Sequence, residues 1–157
     1  MKRKLTTIVA TVFVLILSVS MLTACGGNTL EKYASEHKDF ESTLESTLNL
    51  KGVDGTVDIK GNDIIITTDI TKSISGVEVT DDLKTTLKGS FDQSFDYLAD
   101  SFASNIKNIE DKTDTKNVKL IVKVNLGDEE IATYEFDDTS KTKAKENKAS
   151  DKKDEKK

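Results

Sequence analysis

Carboxylates form the most regular group of side chains in this chain that could bind a metal ion or a basic partner. Asp92, Asp96 and Asp100 recur at every fourth position, a spacing that places them in one row along a helix. Calcium takes about six to eight oxygen ligands, often from a loop, and a straight helix supplies them poorly. We interpret this acidic row as solvent-exposed helix surface, with a contact stripe or a weak calcium site as the alternatives.

The imidazole of His37 is the only histidine side chain, and it falls on the apolar face of the first predicted helix. A metal site or a nucleophilic triad needs further partners, and no second histidine or activated serine motif accompanies it. We therefore interpret His37 as a partly buried packing residue. The sequence predicts no catalytic residue, no metal ligand and no cofactor, although carboxylates alone could act on a wall glycan.

The single thiol, Cys25, lies where an apolar segment ends. Basic residues 2–4 precede an apolar run from Leu5 to Leu22, which is the layout of a secretory signal. The run is also close to the roughly 20 residues that an uncleaved membrane-spanning anchor needs. Whether the segment is a cleaved signal or an uncleaved anchor, basic residues 2–4 are expected to stay inside the cell and the chain after the apolar run to lie outside it.

The tetrapeptide formed by Leu22, Thr23, Ala24 and Cys25 resembles the lipobox of bacterial lipoproteins. This resemblance implies that the Cys25 sulfur carries a diacylglycerol and that cleavage before it removes a signal peptide, residues 1–24. Two acyl chains give stable anchoring. Residues 25–28 then form a short lipidated tether that keeps the next domain against the membrane, on the extracellular face, with its acidic surfaces turned outward.

Charge divides the remaining chain into two parts. Residues 25–138 carry 12 lysines and 24 acidic residues, a net charge of −12, whereas residues 139–157 carry eight lysines and four acidic residues. The acidic part argues against nucleic acid, which requires a basic surface. The lysine-rich part has no apolar periodicity, so we predict a disordered tail over 139–157, able to contact anionic headgroups or wall polymers.

Two amphipathic helices are predicted. The first begins at Asn28 or Thr29, and its polar stretch 35–39 could divide it into two shorter helices; its apolar positions are Leu30, Tyr33, His37, Phe40, Leu44 and Leu48. The second runs from Asp81 to Ile109, capped by Thr80 or Asp81, with apolar residues at steps of three and four. Gly89 lies inside it and suggests close packing against another element.

Alternating apolar residues predict two hairpins. Gly61 and Asn62 fit a type II′ turn in the first, Gly127 and Asp128 mark the turn of the second, and residues 73–79 are predicted as a loop. A lone hairpin is marginally stable, so the two should join. We predict a single α+β domain over 29–138 in the order helix-hairpin-helix-hairpin, with a four-stranded antiparallel sheet and both helices on one face.

Residues 28–137 resemble a family of small Gram-positive bacterial lipoproteins that share domain of unknown function 4854. The resemblance rests on the start Leu30-Glu31-Lys32-Tyr33, the Gly61-Asn62 hairpin, the phenylalanine-rich second helix and the closing Tyr134-Glu135-Phe136. It implies a lipid-anchored protein of the cell membrane, and it assigns no activity to any residue.

The sheet face opposite the helices holds a candidate interaction patch, provided that the strand order brings its residues together. The predicted members are isoleucines rimmed by lysine and threonine: Ile65, Thr67, Lys119, Ile121, Lys123 and Ile131. We therefore expect a non-catalytic, lipid-anchored module that binds an envelope protein or a wall component. A structural or stress-related surface lipoprotein and an envelope-acting enzyme or enzyme accessory are the alternatives, and the oligomeric state stays open.

Overall fold

The computed structural model describes residues 29–42, 54–74, 76–139 and 143–144. Its elements, in chain order, are helix α1 (Leu30–Glu36), a helical segment at 39–42, strands β1 (Asp54–Lys60) and β2 (Asp63–Asp69), a 3-10 helix (Thr71–Ile74), helix α2 (Asp81–Thr113), and strands β3 (Lys119–Leu126), β4 (Glu129–Phe136) and β5 (Lys143–Ala144).

The strands form one mixed sheet in the order β1-β2-β3-β4-β5. The pairs β1–β2, β3–β4 and β4–β5 are antiparallel, but β2 and β3 run parallel, so the prediction of a purely antiparallel sheet is wrong. The reason is the length of α2: 33 residues span about 50 Å, more than the whole length of a seven-residue strand. The helix carries the chain back to the end where β2 began, and β3 starts there in the same direction as β2.

The first helix is interrupted, as its polar stretch predicts. Thr29 is the N-cap, and its side chain accepts a hydrogen bond from the Lys32 amide at 3.2 Å. The helix ends at Glu36, and helical residues resume at 39. His37 occupies the C-cap position and is exposed, so its assignment as a partly buried packing residue is wrong; its ring lies 4.5 Å from the ring of buried Tyr33. Leu44 and Leu48 lie outside the described residues.

Helix α2 supplies most of the helical side of the core. Its N-cap is Thr80, whose hydroxyl accepts a hydrogen bond from the Leu83 amide, and it continues four residues past the predicted end at Ile109. Its buried apolar residues pack with those of the first helix and with the alternating inward residues of β1 to β4 in one cluster. The largest side chains buried there are Tyr33, Tyr134, Phe40, Phe91, Phe95, Phe102 and Phe136.

Gly89 has no packing role, contrary to the expectation from its position inside the helix. It is exposed, and a Cβ atom built on it would meet no atom within 4 Å. Its backbone is helical, so an alanine fits without strain.

Replacing this glycine should stabilise the domain. Alanine is favoured over glycine inside a helix by about 1 kcal/mol, so we expect the free energy of unfolding of Gly89→Ala to rise by about that amount. Urea denaturation followed by circular dichroism measures it. Gly76→Ala is the matched control, because Gly76 has φ 83° and an alanine there is strained; a loss of stability in Gly89→Ala would contradict the prediction.

Two residues of the predicted tail are ordered into the sheet. Lys143 and Ala144 pair with Glu135 and Tyr134 of β4, so the tail is not wholly without structure. Residues 140–142 and 145–157 lie outside the described part of the chain. Among the described residues, no helix combines the length and apolar character needed to cross a membrane.

Candidate functional site

Five of the six residues predicted for the interaction patch lie together on the sheet face opposite the helices, which we call the outer face. Because β2 and β3 are neighbours, Ile65 lies beside Ile121 and Thr67 lies beside Lys123. Lys119 lies two residues before Ile121 on the same face. All five side chains are partly exposed. The two isoleucines therefore form a small apolar centre on the neighbouring strands β2 and β3, which we call the isoleucine pair.

Ile131 does not belong to this patch, and its assignment is wrong. The register of β3 and β4 shifts between Val124 and Asn125, so β4 carries one extra residue there. Such a bulge rotates the strand and breaks the alternation of its side chains. As a result Ile131 packs against the core, and Glu130 pairs with Asn125 on the outer face.

Carboxylates of β4, rather than a third isoleucine, complete the patch. The Lys119 Nζ lies 2.8 Å from Glu135 Oε1, and the Lys123 Nζ lies 3.9 Å from Glu130 Oε2. Glu130 also accepts a hydrogen bond from the Thr133 hydroxyl at 2.7 Å. The hydrogen bond to Glu135 raises the pKa of Lys119. The rim around the isoleucine pair is therefore made of ion pairs and is close to neutral.

Sequence reasoning missed these two glutamates for different reasons. Glu135 follows the simple alternation of β4, and pairing β4 with β3 would have placed it beside Ile121. By simple alternation along β4, Glu130 would face the core, and only the bulge places it on the outer face.

The outer face ends in a tight turn network at the far end of β2. Asp69 Oδ1 accepts hydrogen bonds from the Thr71 amide at 2.9 Å and from its hydroxyl at 2.5 Å, and the Thr71 oxygen accepts one from the Gly127 amide. Burial acts to raise the pKa of Asp69, but these bonds and the nearby charge of Lys72 outweigh it, so the pKa lies below its ordinary value. The carboxylate thus ties the loop after β2 to the β3–β4 turn.

The described residues line two shallow depressions. One, of about 230 Å³, opens on the outer face beside the patch and is lined by Gly55, Thr56, Thr67 and Asp69. The other, of about 400 Å³, lies between α1 and β1 and is lined by Glu31, Ala34, Ser35, Lys38, Glu41 and Ile59. Thr67 joins the first depression to the patch, so that depression extends the candidate surface along β2.

The three aspartates of the predicted acidic row differ in their exposure and contacts. Asp96 and Asp100 are exposed, whereas Asp92 is partly buried and accepts a hydrogen bond from the Tyr134 hydroxyl at 2.7 Å. Lys88 also pairs with Asp92 at 3.1 Å. Asp92 therefore has a packing role between α2 and β4. In the part of the chain that the structure describes, no group of three or more histidine, cysteine or acidic side chains is placed to hold a metal ion.

The predicted lipidation site lies outside the described residues, as do all four lipobox positions, Leu22, Thr23, Ala24 and Cys25. The lipid anchor and the membrane location that follow from it remain predictions.

Comparison with curated proteins found no match, and comparison with solved structures found none either. The family model described as Domain of unknown function (DUF4854) matches residues 30–136, which begin at the first residue of α1 and end at the last residue of β4. The match therefore covers every described element from α1, which Thr29 caps, to β4, which carries Tyr134 and Phe136. The chain therefore belongs to the family described as Domain of unknown function (DUF4854).

Proposed function

We propose that this protein is a lipid-anchored extracellular module that binds a partner through the outer face of its sheet and performs no catalysis of its own. One observation carries the proposal: Ile65 and Ile121 lie side by side at the centre of that face, partly exposed, and no described element covers them. An apolar centre with a polar rim is the general arrangement of protein interaction surfaces.

The polar groups of the outer face support binding rather than reaction. Lys119 and Glu135 satisfy each other, as do Thr133 and Glu130, so these groups are held in fixed positions. A partner can bury the isoleucine pair while Lys119 and Lys123, whose side chains are 43% and 41% exposed, stay at the edge of the contact, where ion pairs add little to affinity.

Photo-cross-linking on intact cells tests the binding surface. A photoreactive phenylalanine analogue replaces Ile121 in one variant and Tyr97 in the control; Tyr97 is 86% exposed on α2, away from the sheet. We expect a specific adduct from position 121 and none from position 97. Adding Ile65→Lys should lower the adduct yield roughly tenfold, corresponding to about 1.4 kcal/mol of lost binding energy. The same adducts from both positions would contradict the proposed surface.

Removing the thiol tests the anchor separately. In Cys25→Ala the acceptor sulfur of the lipid is absent, so we expect the unprocessed precursor to accumulate and the form that partitions into detergent to be lost. Globomycin, which blocks lipoprotein signal peptidase, should produce the uncleaved precursor in the unmodified chain. Unchanged size and partitioning in both experiments would exclude lipidation by this route.

A further inference from the structure

Residues 76–82 form the longest uninterrupted run of exposed residues in the part of the chain that the structure describes. The run lies between the 3-10 helix that follows β2 and the first turn of α2. It carries Val77 and Val79, which are 39% and 49% exposed and are two of the three large apolar side chains that the described residues expose. Because Thr80 caps α2, the residues before the helix are 76–80, which we call the connecting segment.

The backbone in the middle of the connecting segment is available to pair with another chain. The Val77 amide donates to the Ile74 carbonyl at 3.1 Å, and the Thr80 carbonyl accepts the first helical hydrogen bond of α2. Between these two, no described residue makes a hydrogen bond to the backbone of Glu78 or Val79. An endopeptidase binds its substrate as an added extended strand, so unpaired amides and carbonyls of this kind are what it requires.

Glu78 is the one described glutamate that lies outside helices and strands. The others lie in α1 (Glu31 and Glu36), in the helical segment at 39–42 (Glu41), in α2 (Glu110) and in β4 (Glu129, Glu130 and Glu135). Cleavage within such an element requires the element to open first, whereas an exposed segment between elements is cut directly. A protease that reads glutamate therefore meets its most accessible described bond at Glu78.

We propose that the peptide bond between Glu78 and Val79 is a cleavage site for an endopeptidase that recognises glutamate, and that the domain stays assembled after the cut. In this hydrolysis water adds across the C–N bond, so that Glu78 gains a carboxylate and Val79 gains an α-amine. The pocket that receives the residue before the cut sets the specificity of such enzymes. With Glu78 in that pocket, residues 76–80 occupy the protease cleft, and none of them belongs to α2.

Contacts across the cut hold the two pieces together. Strand β2 precedes the cut and β3 follows it, and the two are neighbours over seven aligned residue pairs. The Ile70 amide donates to the Asn125 carbonyl at 3.0 Å, and the Gly127 amide donates to the Thr71 hydroxyl at 2.7 Å. The core cluster also contains side chains from both pieces. The cut therefore removes a chain connection and leaves these contacts in place.

The cut gives the outer face a means of control, and this consequence rests on the binding function proposed above. Ile65 lies in the piece before the cut and Ile121 in the piece after it, so the isoleucine pair exists only while the pieces are together. Unfolding of the cut domain separates the pieces, and its stability then depends on their concentration. The uncut chain refolds at any dilution, whereas the cut domain loses the isoleucine pair once it has unfolded and been diluted.

Limited digestion of the folded, purified protein with a glutamate-specific endopeptidase tests the site. We expect a C-terminal fragment that begins at Val79, identified by its intact mass, to form roughly tenfold or more faster than a cut after any other described glutamate. Glu78→Gln should abolish this fragment, because the carboxylate is removed. Glu36→Gln, at the last residue of α1, is the matched control and should leave its rate unchanged. A cut after Glu36 or Glu129 that is as fast as the cut after Glu78 would overturn the site.

Two measurements test whether the cut domain stays assembled. On size-exclusion chromatography without denaturant, the two fragments should elute together at the volume of the uncut protein, although a denaturing gel separates them. The urea midpoint of the cut protein should rise with protein concentration, and that of the uncut protein should not. Separation of the fragments without denaturant, or loss of the circular dichroism signal on cutting, would overturn the assembly.

Photo-cross-linking from position 121 separates this inference from the proposed function. Cells that carry the photoreactive chain, with or without Glu78→Gln, are treated with the same endopeptidase. We expect equal adduct yields, since the cut domain keeps the isoleucine pair. An adduct that persists in Glu78→Gln but is lost from the chain that can be cut would overturn the assembled state. If neither chain gives an adduct before treatment, the binding surface is contradicted, while the fragment that begins at Val79 still decides the cleavage site.

Discussion

Phe95→Ala is expected to lower the free energy of unfolding by about 3–5 kcal/mol, a large part of the 5–15 kcal/mol that holds a domain of this size folded. Phe95 is fully buried and lies at the centre of an aromatic cluster. Its ring is 4.5 Å from the ring of Tyr134, 5.8 Å from Phe136 and 6.1 Å from both Phe91 and Phe102. Truncation leaves a cavity at the contact between α2 and β4 that these rings cannot fill without leaving their own positions.

Tyr97→Ala provides the matched control on the same helix, two positions away. Tyr97 is 86% exposed, so its loss should change stability by no more than about 0.5 kcal/mol. Urea denaturation of the two variants compares them directly. Similar losses of stability would show that the packing of α2 on the sheet differs from that described.

Tyr134→Phe is expected to cost about 1.5–3 kcal/mol at neutral pH, the usual range for a hydrogen bond to a charged group. The Tyr134 side chain is 1% exposed, and its hydroxyl donates to Asp92 Oδ1 at 2.7 Å. Burial raises the pKa of the Tyr134 hydroxyl, and the hydrogen bond to Asp92 and the charges of Asp92 and Asp96 raise it further. The variant leaves the Asp92 carboxylate partly buried without this donor, although Lys88 remains beside it.

The same pair gives stability a distinct dependence on pH. Above about pH 10 the tyrosine ionises in the unfolded chain but stays protonated in the folded domain, so the free energy of unfolding falls as the pH rises. Tyr134→Phe removes this contribution, and the difference between the variant and the unmodified protein should narrow at alkaline pH. Urea denaturation at pH 8 and near pH 11 measures the difference, with Tyr97→Phe as the control. A difference that does not depend on pH would contradict the raised pKa.

The local pattern of the sequence was sufficient to predict the two helical regions, strands β1 to β4 and the inward faces of these strands, except at the start of β4. Thr29 and Thr80 cap the helices, and Gly61 adopts φ 62° at the hairpin turn, the positive value that a type II′ turn requires at that position. These features depend on a few neighbouring residues, because caps, turns and alternation are set by backbone geometry over one or two turns of chain.

Contacts between distant residues were not predictable in the same way. Alternation predicts that Ile131 faces outward, and one extra residue in β4 reverses this. The row of Asp92, Asp96 and Asp100 looks uniform in the sequence, yet only Asp92 meets a tyrosine 42 residues further along the chain. His37 fits the helical period, but the helix ends one residue before it.

The sequence by itself determined the number of strands in the two hairpins, the amphipathic faces of the helices, the family resemblance and the likeness of Cys25 and its neighbours to a lipobox. Only the tertiary structure decided that α2 crosses the sheet and makes β2 and β3 parallel, which sets Ile65 beside Ile121. It also placed the start of α1 and the end of β4 at the same end of the sheet. Strand direction and side-by-side placement depend on where a long connection returns the chain, and no local periodicity records that path.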